Sequence, residues 1–346
     1  MVTVSQKPAV DFYRYPSVGK EDYRYTFAAA KVRVLQSMML TRSELLDMSN
    51  SPDFESAVGI ISGGEYAISQ PVKNFSTVQQ MLIEKRSQLK DLFDSLIMDD
   101  EIKTLFRSRT DFANVKLALR HKLTDRAVGE DCSGEGNIPG EQIAEIFEQE
   151  NYSLLPEFMQ QAVENAVLAY YQDKDIRRID YALDKSHSDY KLEQAEKLDS
   201  VFLTELFRMQ ADLTNITTML RMKFTEMDLR DIFLEGGYIE MEKLTHCLDV
   251  DYDAVSSVFF ATPYYDVVDS GVGYLRSNKS FLKLERNCEE HINRYLDETM
   301  QQITAGPQPV MAYLLLKEYE IRMVRLILTA KRNSLEAKLI TDRLGE

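Results

Sequence analysis

Few residues of this 346-residue chain stand at spacings that do chemistry. Its four histidines, His121, His187, His246 and His291, are scattered, and only His246 beside Cys247 forms an adjacent pair. Neighbours on a helix point about 100° apart, so that pair is a poor start for a metal site. The three cysteines, Cys132, Cys247 and Cys288, are odd in number and far apart, without the spacing of a metal or redox motif. Free, reduced thiols are expected. The Gly-rich run GEDCSGEGNIPGEQ at 129–142 follows no strand and lacks a closing Gly-Lys-Ser/Thr, so it does not make a phosphate loop, and Gly271-Val-Gly273 is too short for one. Carboxylate clusters such as Asp99-Asp100-Glu101 are, in a chain with 56 acids, solvated faces by default. No nucleophile elbow and no His-Glu-x-x-His is present. The balance moves from catalysis toward a structural or binding role, with no cofactor and no metal expected.

Polar residues that do recur lie in a repeat. Residues 105–124 (LFRSRTDFANVKLALRHKLT) and 206–225 (LFRMQADLTNITTMLRMKFT) align without a gap at a shift of 101, with nine of twenty pairs identical, among them Asp111/Asp212, Asn114/Asn215, Arg120/Arg221 and Lys122/Lys223. Phe112, Val115 and Leu119, like Leu213, Ile216 and Leu220, mark one apolar face of a helix. Asp and Asn are costly inside helices because their short side chains compete for the backbone. Keeping both twice implies a tertiary task, either a hydrogen bond to a neighbouring helix or loop or a binding role.

The shift extends outward. Gly136, Ile138, Glu141 and Ile143 fall on Gly237, Ile239, Glu242 and Leu244, and Val78 and Leu82 on Ile179 and Leu183. An eroded third copy, at a shift of 108 from the second, has Glu320, Val324, Leu328 and Lys331, with Met323 where Asn stands and Thr329 where Arg stands. Three helical domains of about one hundred residues are expected, at 21–125, 126–225 and 226–346, after an irregular lead-in at 1–20 broken by Pro8 and Pro16.

The elements expected to carry these residues are helices. Few Gly and Pro, and few alternating Val/Ile/Thr runs, point to an all-α fold. Glu21 to about Met39 should form a helix with Phe27, Ala30, Val34 and Met38 along one face. Thr41-x-x-Glu44 should make a capping box ahead of short helices through SELLDM and DFESAVGII, the latter ending at Gly63-Gly64. Two long helices should fill 75–123 with a break near Met98 to Asp100. The stretch 153–224 needs a break, expected near Ser186 to Ser188. FLEGGYIEMEKL reads as a helix–turn–helix, turning at Gly236-Gly237 after a helix ending near Leu234, and 262–275 as the least helical stretch. Helices are expected again at 279–301 and 308–332.

The net charge of −15 argues against nucleic acid. Aromatics interleaved with bases in FYRYPSVGKEDYRYTF do not reverse this, because Glu21 and Asp22 sit among them. Residues 1–50 and 317–346 each carry seven Lys/Arg against five Asp/Glu, so −19 falls on 51–316. Such a chain should bind basic protein surfaces and avoid bare anionic lipid. No apolar run approaches the ~20 residues of a membrane span, and the start has no apolar signal core, so a soluble protein of the cytosolic side is expected.

The repeated Asp-x-x-Asn helices ending in Leu-Arg-x-Lys, the FLEGGYIEMEKL segment and the closing KEYEIRMVRLILTAKRN resemble the C subunit of the archaeal and bacterial V/A-type ATPases, whose eukaryotic relative is the d subunit of the vacuolar ATPase. The resemblance runs from about residue 21 to the end, apart from the loop at 129–140, which is longer than usual. It implies a funnel of three similar helical domains about a pseudo-threefold axis, with no catalytic residues. It further implies one copy per complex at the cytoplasmic face of the membrane, peripheral and without lipid insertion. In that family the protein rests on the proteolipid c-ring, receives the central-shaft subunits D and F, and transmits torque for ATP-coupled proton or sodium transport. The helix ends bearing Arg120, Lys122, Arg221 and Lys223, and the exposed-looking Tyr264 and Tyr265, are the candidate shaft or ring contacts. Two other classes remain: a stand-alone helical repeat adaptor for a partner protein, and a helical enzyme with an unrecognised acidic site.

Overall fold

The computed structural model describes residues 18–66, 75–124 and 132–345; the lead-in up to residue 17 and the first residues of the 129–140 loop lie outside them. Among the described residues the fold is all helical. The α-helices are α1 (Thr26–Gln36), α2 (Arg42–Asn50), α3 (Phe54–Ile61), α4 (Phe75–Leu96), α5 (Asp100–Leu123), α6 (Gly140–Glu148), α7 (Glu157–Asp173), α8 (Arg177–Lys197), α9 (Val201–Thr225), α10 (Met241–Asp249), α11 (Tyr252–Val258), α12 (Tyr265–Asn278), α13 (Leu282–Gln302), α14 (Pro307–Arg332) and α15 (Ala337–Leu344).

The chain divides into two compact units. One comprises residues up to 98 together with those from 250 onward; the other is Asp99–Asp249. These cuts fall elsewhere than the three-module division drawn from the repeat, which follows sequence similarity rather than packing. In the first unit the core is built around α14, against which α1, α2, α3, α4 and α13 pack. Val32, Leu89, Phe93, Leu96, Val310, Tyr313 and Leu314 meet in the seam of α1, α4 and α14. In the second unit α8 lies between α5 and α9 and also packs on α7, with α6 on α5 and α10 on α9. The repeat's apolar stripes, Phe112, Val115 and Leu119 and then Leu213, Ile216 and Leu220, are buried as expected, and so are Val78, Leu82, Ile179 and Leu183. Each such side chain contributes roughly 1.5–3 kcal/mol by leaving water.

Several boundaries follow the sequence. Thr41 and Glu44 form the capping box of α2, with Thr41 N–H donating to Glu44 Oε2 at 2.7 Å and Glu44 N–H to Thr41 Oγ1 at 3.3 Å. The break between α4 and α5 falls at 97–99. Others differ. The long stretch 153–224 breaks at 174–176 and 198–200, and Ser186 to Ser188 lie inside α8. The breaks are made by Lys174 (φ 54°) and Asp199 (φ 48°) in the left-handed region, a conformation that non-glycine residues do not advertise. Residues 262–275 are largely helical, within α12. Gly271 there serves packing, since a Cβ on it would lie 2.7 Å from Leu284 Cδ1 of α13. α3 ends at Ile61 with Ser62 as its cap, and neither Gly63 nor Gly64 has positive φ. α9 ends at Thr225, so Leu234 lies in a loop at 226–240 that carries one 3-10 turn, Arg230–Ile232. Gly236 does take the expected left-handed turn (φ 81°).

Candidate interaction site

The costly Asp and Asn of the repeat hold loops. On α5, Asn114 grips the backbone of Ser133 twice: Nδ2–H donates to Ser133 O at 2.8 Å, and Ser133 N–H donates to Oδ1 at 2.9 Å. One turn earlier, Asp111 accepts from Ile138 N–H at 3.0 Å and Asn137 Nδ2–H at 2.7 Å. On α9 the arrangement recurs 101 residues later. Asn215 makes the same pair with Leu234, both at 2.8 Å, and Asp212 accepts from Tyr238 N–H and Ile239 N–H, both at 3.0 Å. All four side chains are buried. Burial pushes the Asp111 carboxyl above its ordinary range, opposed by the bonds from Ile138 and Asn137. Gly136 and Gly237 are part of the device, because a Cβ there would sit 2.1 and 2.2 Å from the respective Asp Oδ1.

Lysine completes each bracket at the short helix after the loop. Lys122 pairs with Glu150 (2.7 Å) just beyond the nine-residue α6, and Lys223 donates to Leu248 O (3.2 Å) in the last turn of the nine-residue α10. A cation belongs at a helix C-terminus, where carbonyls are left over.

The eroded third copy keeps this device with a different loop. Glu320 of α14 accepts from Leu40 N–H at 2.7 Å, ahead of the nine-residue α2, and Lys331 donates to Ser51 O (2.6 Å), the C-cap of α2. The third long helix is thus completed by residues 40–51, from the opposite end of the chain. α4 lies along α14 much as α8 lies along α5. Glu320 is embedded in an ion cluster: it accepts from Tyr66 Oη–H at 2.5 Å and from Lys317 Nζ at 2.6 Å, and Lys317 also contacts Glu65. No sequence reading anticipated that cluster, since Glu65 and Lys317 are 252 positions apart.

The remaining candidates distribute as follows. Arg120 is exposed and reaches Asp180 at 3.3 Å, and Arg221 is exposed. Tyr264, expected at the surface, is buried against the His291 ring with centroids 5.1 Å apart. The correction has a plain cause: Tyr264 is the first residue behind α12 and turns into the α12–α13 core, while Tyr265 is half-buried edge-on to the exposed Phe260. Cys247 is buried, and burial pushes its thiol up to about 11. Among the described residues no three His, Cys, Asp or Glu side chains gather where they could hold a metal ion. No helix of the described residues is long and apolar enough to cross a membrane.

His291 supplies a pH prediction. Burial, and then Arg294, lower its pKa to about 4, against about 6.5 in an unfolded chain. The native state therefore binds fewer protons than the unfolded state between these values, and stability is lost as pH falls from about 6.5 to about 4. The full effect is about 3 kcal/mol at 1.36 kcal/mol per pH unit. His291→Phe is expected to flatten the acid limb of melting temperature against pH; an unchanged limb would show that His291 does not contribute to it.

These features define a class: an all-helical, repeat-built scaffold whose recurring buried polar residues fasten its own loops. Comparison supplies the family within that class. The family described as ATP synthase (C/AC39) subunit matches residues 28–343, and the chain belongs to it. It is 25% identical over 320 residues to the C subunit of the V-type ATP synthase of Thermus thermophilus, covering 89% of this chain and 94% of that protein. To the C subunit of the A-type ATP synthase of Methanobrevibacter smithii it is 24% identical over 362 residues, 96% of this chain and 88% of the other. The A-type counterpart from Thermococcus onnurineus is 20% identical over 350 residues, 93% and 90% of the two chains. The protein is therefore one component of a multi-protein ATP synthase.

Proposed function

We propose that this chain is the non-catalytic central-stalk subunit of a V/A-type ATP synthase, a socket that receives the shaft subunits D and F and rests on the cytoplasmic face of the proteolipid c-ring. One copy per complex passes torque between the ATP-driven head and the ion-carrying ring. The observation that carries this reading is family membership across nearly the whole chain. The repeated brackets support it physically, because a part under torque needs loops fixed at several points, and buried, satisfied polar networks rigidify what they join. Three modules about a pseudo-threefold axis, at 21–125, 126–225 and 226–346, would let one protein make similar contacts around a rotor axis.

The test is purification of the tagged chain from detergent-solubilised membranes of its native host, followed by mass spectrometry. Recovery of the ring proteolipid with shaft subunits D and F is the expected result. Intact ATP synthase purified without this chain, with only soluble partners on the tag, would replace the socket by a stand-alone adaptor.

Within this reading the exposed Arg120 and Arg221, with Lys122, Lys223 and the Phe260–Tyr265 pair, are proposed as shaft or ring contacts. Arg120→Glu with Arg221→Glu is expected to weaken shaft binding at least about tenfold, from the loss of about 1.4 kcal/mol or more of contact energy. Titration of purified shaft subunits D and F onto the variant decides this, and unchanged affinity removes the two arginines from the contact.

A further inference from the structure

α1 has two apolar faces. Ala28, Ala29 and Val32 are buried on the inner one, with Tyr25 of the preceding 3-10 turn Tyr23–Tyr25 buried beside them. On the opposite side, Tyr23, Phe27, Val34 and Met38 are 76%, 74%, 64% and 55% exposed, with Ala30 exposed among them. At 100° per residue Phe27, Ala30 and Val34 of α1 fall within about 60° of arc opposite the buried face, with Tyr23 in the 3-10 turn Tyr23–Tyr25 just ahead of the helix and Met38 just past its C-cap, Ser37. The helix is held firmly beneath this stripe. Arg33 donates to Met300 O (2.9 Å) and to Ile303 O, Gln36 to Asp297 (3.2 Å), and Tyr25 Oη accepts from Met98 N–H (2.8 Å). Helices apolar on all sides belong in interiors, and a contiguous exposed apolar strip on a rigid element marks a docking surface.

Charge selects the occupant. Residues 18–39 carry Lys20, Arg24, Lys31 and Arg33 against Glu21 and Asp22, a net +2 in a chain of −15. Asp22 and Arg24 pair with each other (2.6 Å) and cancel, which leaves Lys20, Lys31 and Arg33 against Glu21, with Lys20 and Lys31 exposed and Glu21 accepting from Thr304 N–H (3.1 Å). A second copy of α1 would bring like charges together across a twofold axis. The chain's own residues 1–17 carry Lys7 and Arg14 against Asp11, again net positive. An anionic membrane would attract this flank but repel the −19 on residues 51–316. We propose that the outer face of α1, through Phe27, Ala30 and Val34 with the adjoining Tyr23 and Met38, seats a helix of another ATP synthase subunit whose apolar stripe is edged by carboxylates.

This inference rests on membership in a multi-protein ATP synthase and on no particular choice of shaft or ring. Its test uses the full chain in its native complex, with the photoreactive p-benzoylphenylalanine placed at position 27, irradiated, and the adduct sequenced by mass spectrometry. An adduct on an apolar, Asp/Glu-edged segment of another subunit is expected. An adduct on residues 1–17, on a second copy, on lipid, on a segment without acids, or no adduct from a chain that copurifies with the complex, overturns the proposal. Phe27→Ser with Val34→Ser should leave the isolated chain's melting temperature unchanged, because both side chains are already in water, and lower its recovery in the complex at least about tenfold. Full recovery overturns it as well. Failure of the socket reading alone would appear as a complex lacking the shaft or ring while the adduct persists.

Discussion

Lys317→Met is expected to destabilise the unit built around α14 by about 3–5 kcal/mol. Lys317 and Glu320 are both buried, and Lys317 is the cation between Glu320 and Glu65. Methionine fills the space but removes the cation that joins two carboxylates, leaving their charges without a partner in a largely buried place. Urea unfolding at pH 7 should show the loss. Adding Glu65→Gln should recover part of it by removing one of the two charges. A loss within about 0.5 kcal/mol, typical of surface substitutions, would mean that the cluster is solvated and does not fasten α14 to residues 40–66.

The second large effect belongs to the bracket on α9. Asp212→Ala strips the acceptor from two backbone donors, Tyr238 N–H and Ile239 N–H. Each buried donor left without a partner costs about 1–3 kcal/mol, so a loss of roughly 2–4 kcal/mol is expected. Asp212→Asn should recover only part of this, because one carboxylate oxygen becomes an NH2 group opposed to an N–H. Gly237→Ala should reproduce much of the loss with the carboxylate intact, since its Cβ would occupy the place of Asp212 Oδ1. Denaturation curves give the magnitudes, and hydrogen exchange at the Ile239 amide locates them. Protection unchanged in Asp212→Ala would show that the loop is held by something other than this carboxylate. The matching substitution, Asp111→Ala, should act in the same direction. There one of the two donors is the Asn137 side chain, which can turn to water, so the cost should be smaller.

The second prediction concerns a residue whose position the repeat marks, and there sequence reading succeeds; in the first, the repeat marks Glu320 but neither Lys317 nor Glu65. Helix is legible because an amphipathic period of 3.6 is a local property of fifteen or twenty residues. The importance of Asp111, Asn114, Asp212 and Asn215 is legible because helix-disfavoured residues retained twice must be compensated outside the helix. The breaks at Lys174 and Asp199 are not legible, because left-handed φ at a lysine or an aspartate leaves no compositional trace. The stretch 262–275, read as the least helical, is mostly α12, where Gly271 lets the helix approach Leu284 of α13, a packing role that its sequence does not reveal.

What the sequence determined by itself was the all-helical class, the duplicated module and the polar residues that fasten it, together with the resemblance that leads to the ATP synthase subunit family. What only the tertiary structure decided was which surfaces those pieces complete. Glu320 takes its hydrogen bond from the main chain of Leu40, 280 positions away, and a backbone N–H belongs to every residue but proline, so no pattern could name it. The two apolar faces of α1 have equal periodicity, and sequence alone cannot say which one turns inward. Packing against α14, and the carbonyls that Arg33 reaches at Met300 and Ile303, settle that Tyr25, Ala28, Ala29 and Val32 go in and that Phe27 and Val34 stay out. Periodicity fixes the angle between side chains on one helix; the choice of face is made by the shape and polarity of the neighbour, which only the folded chain provides.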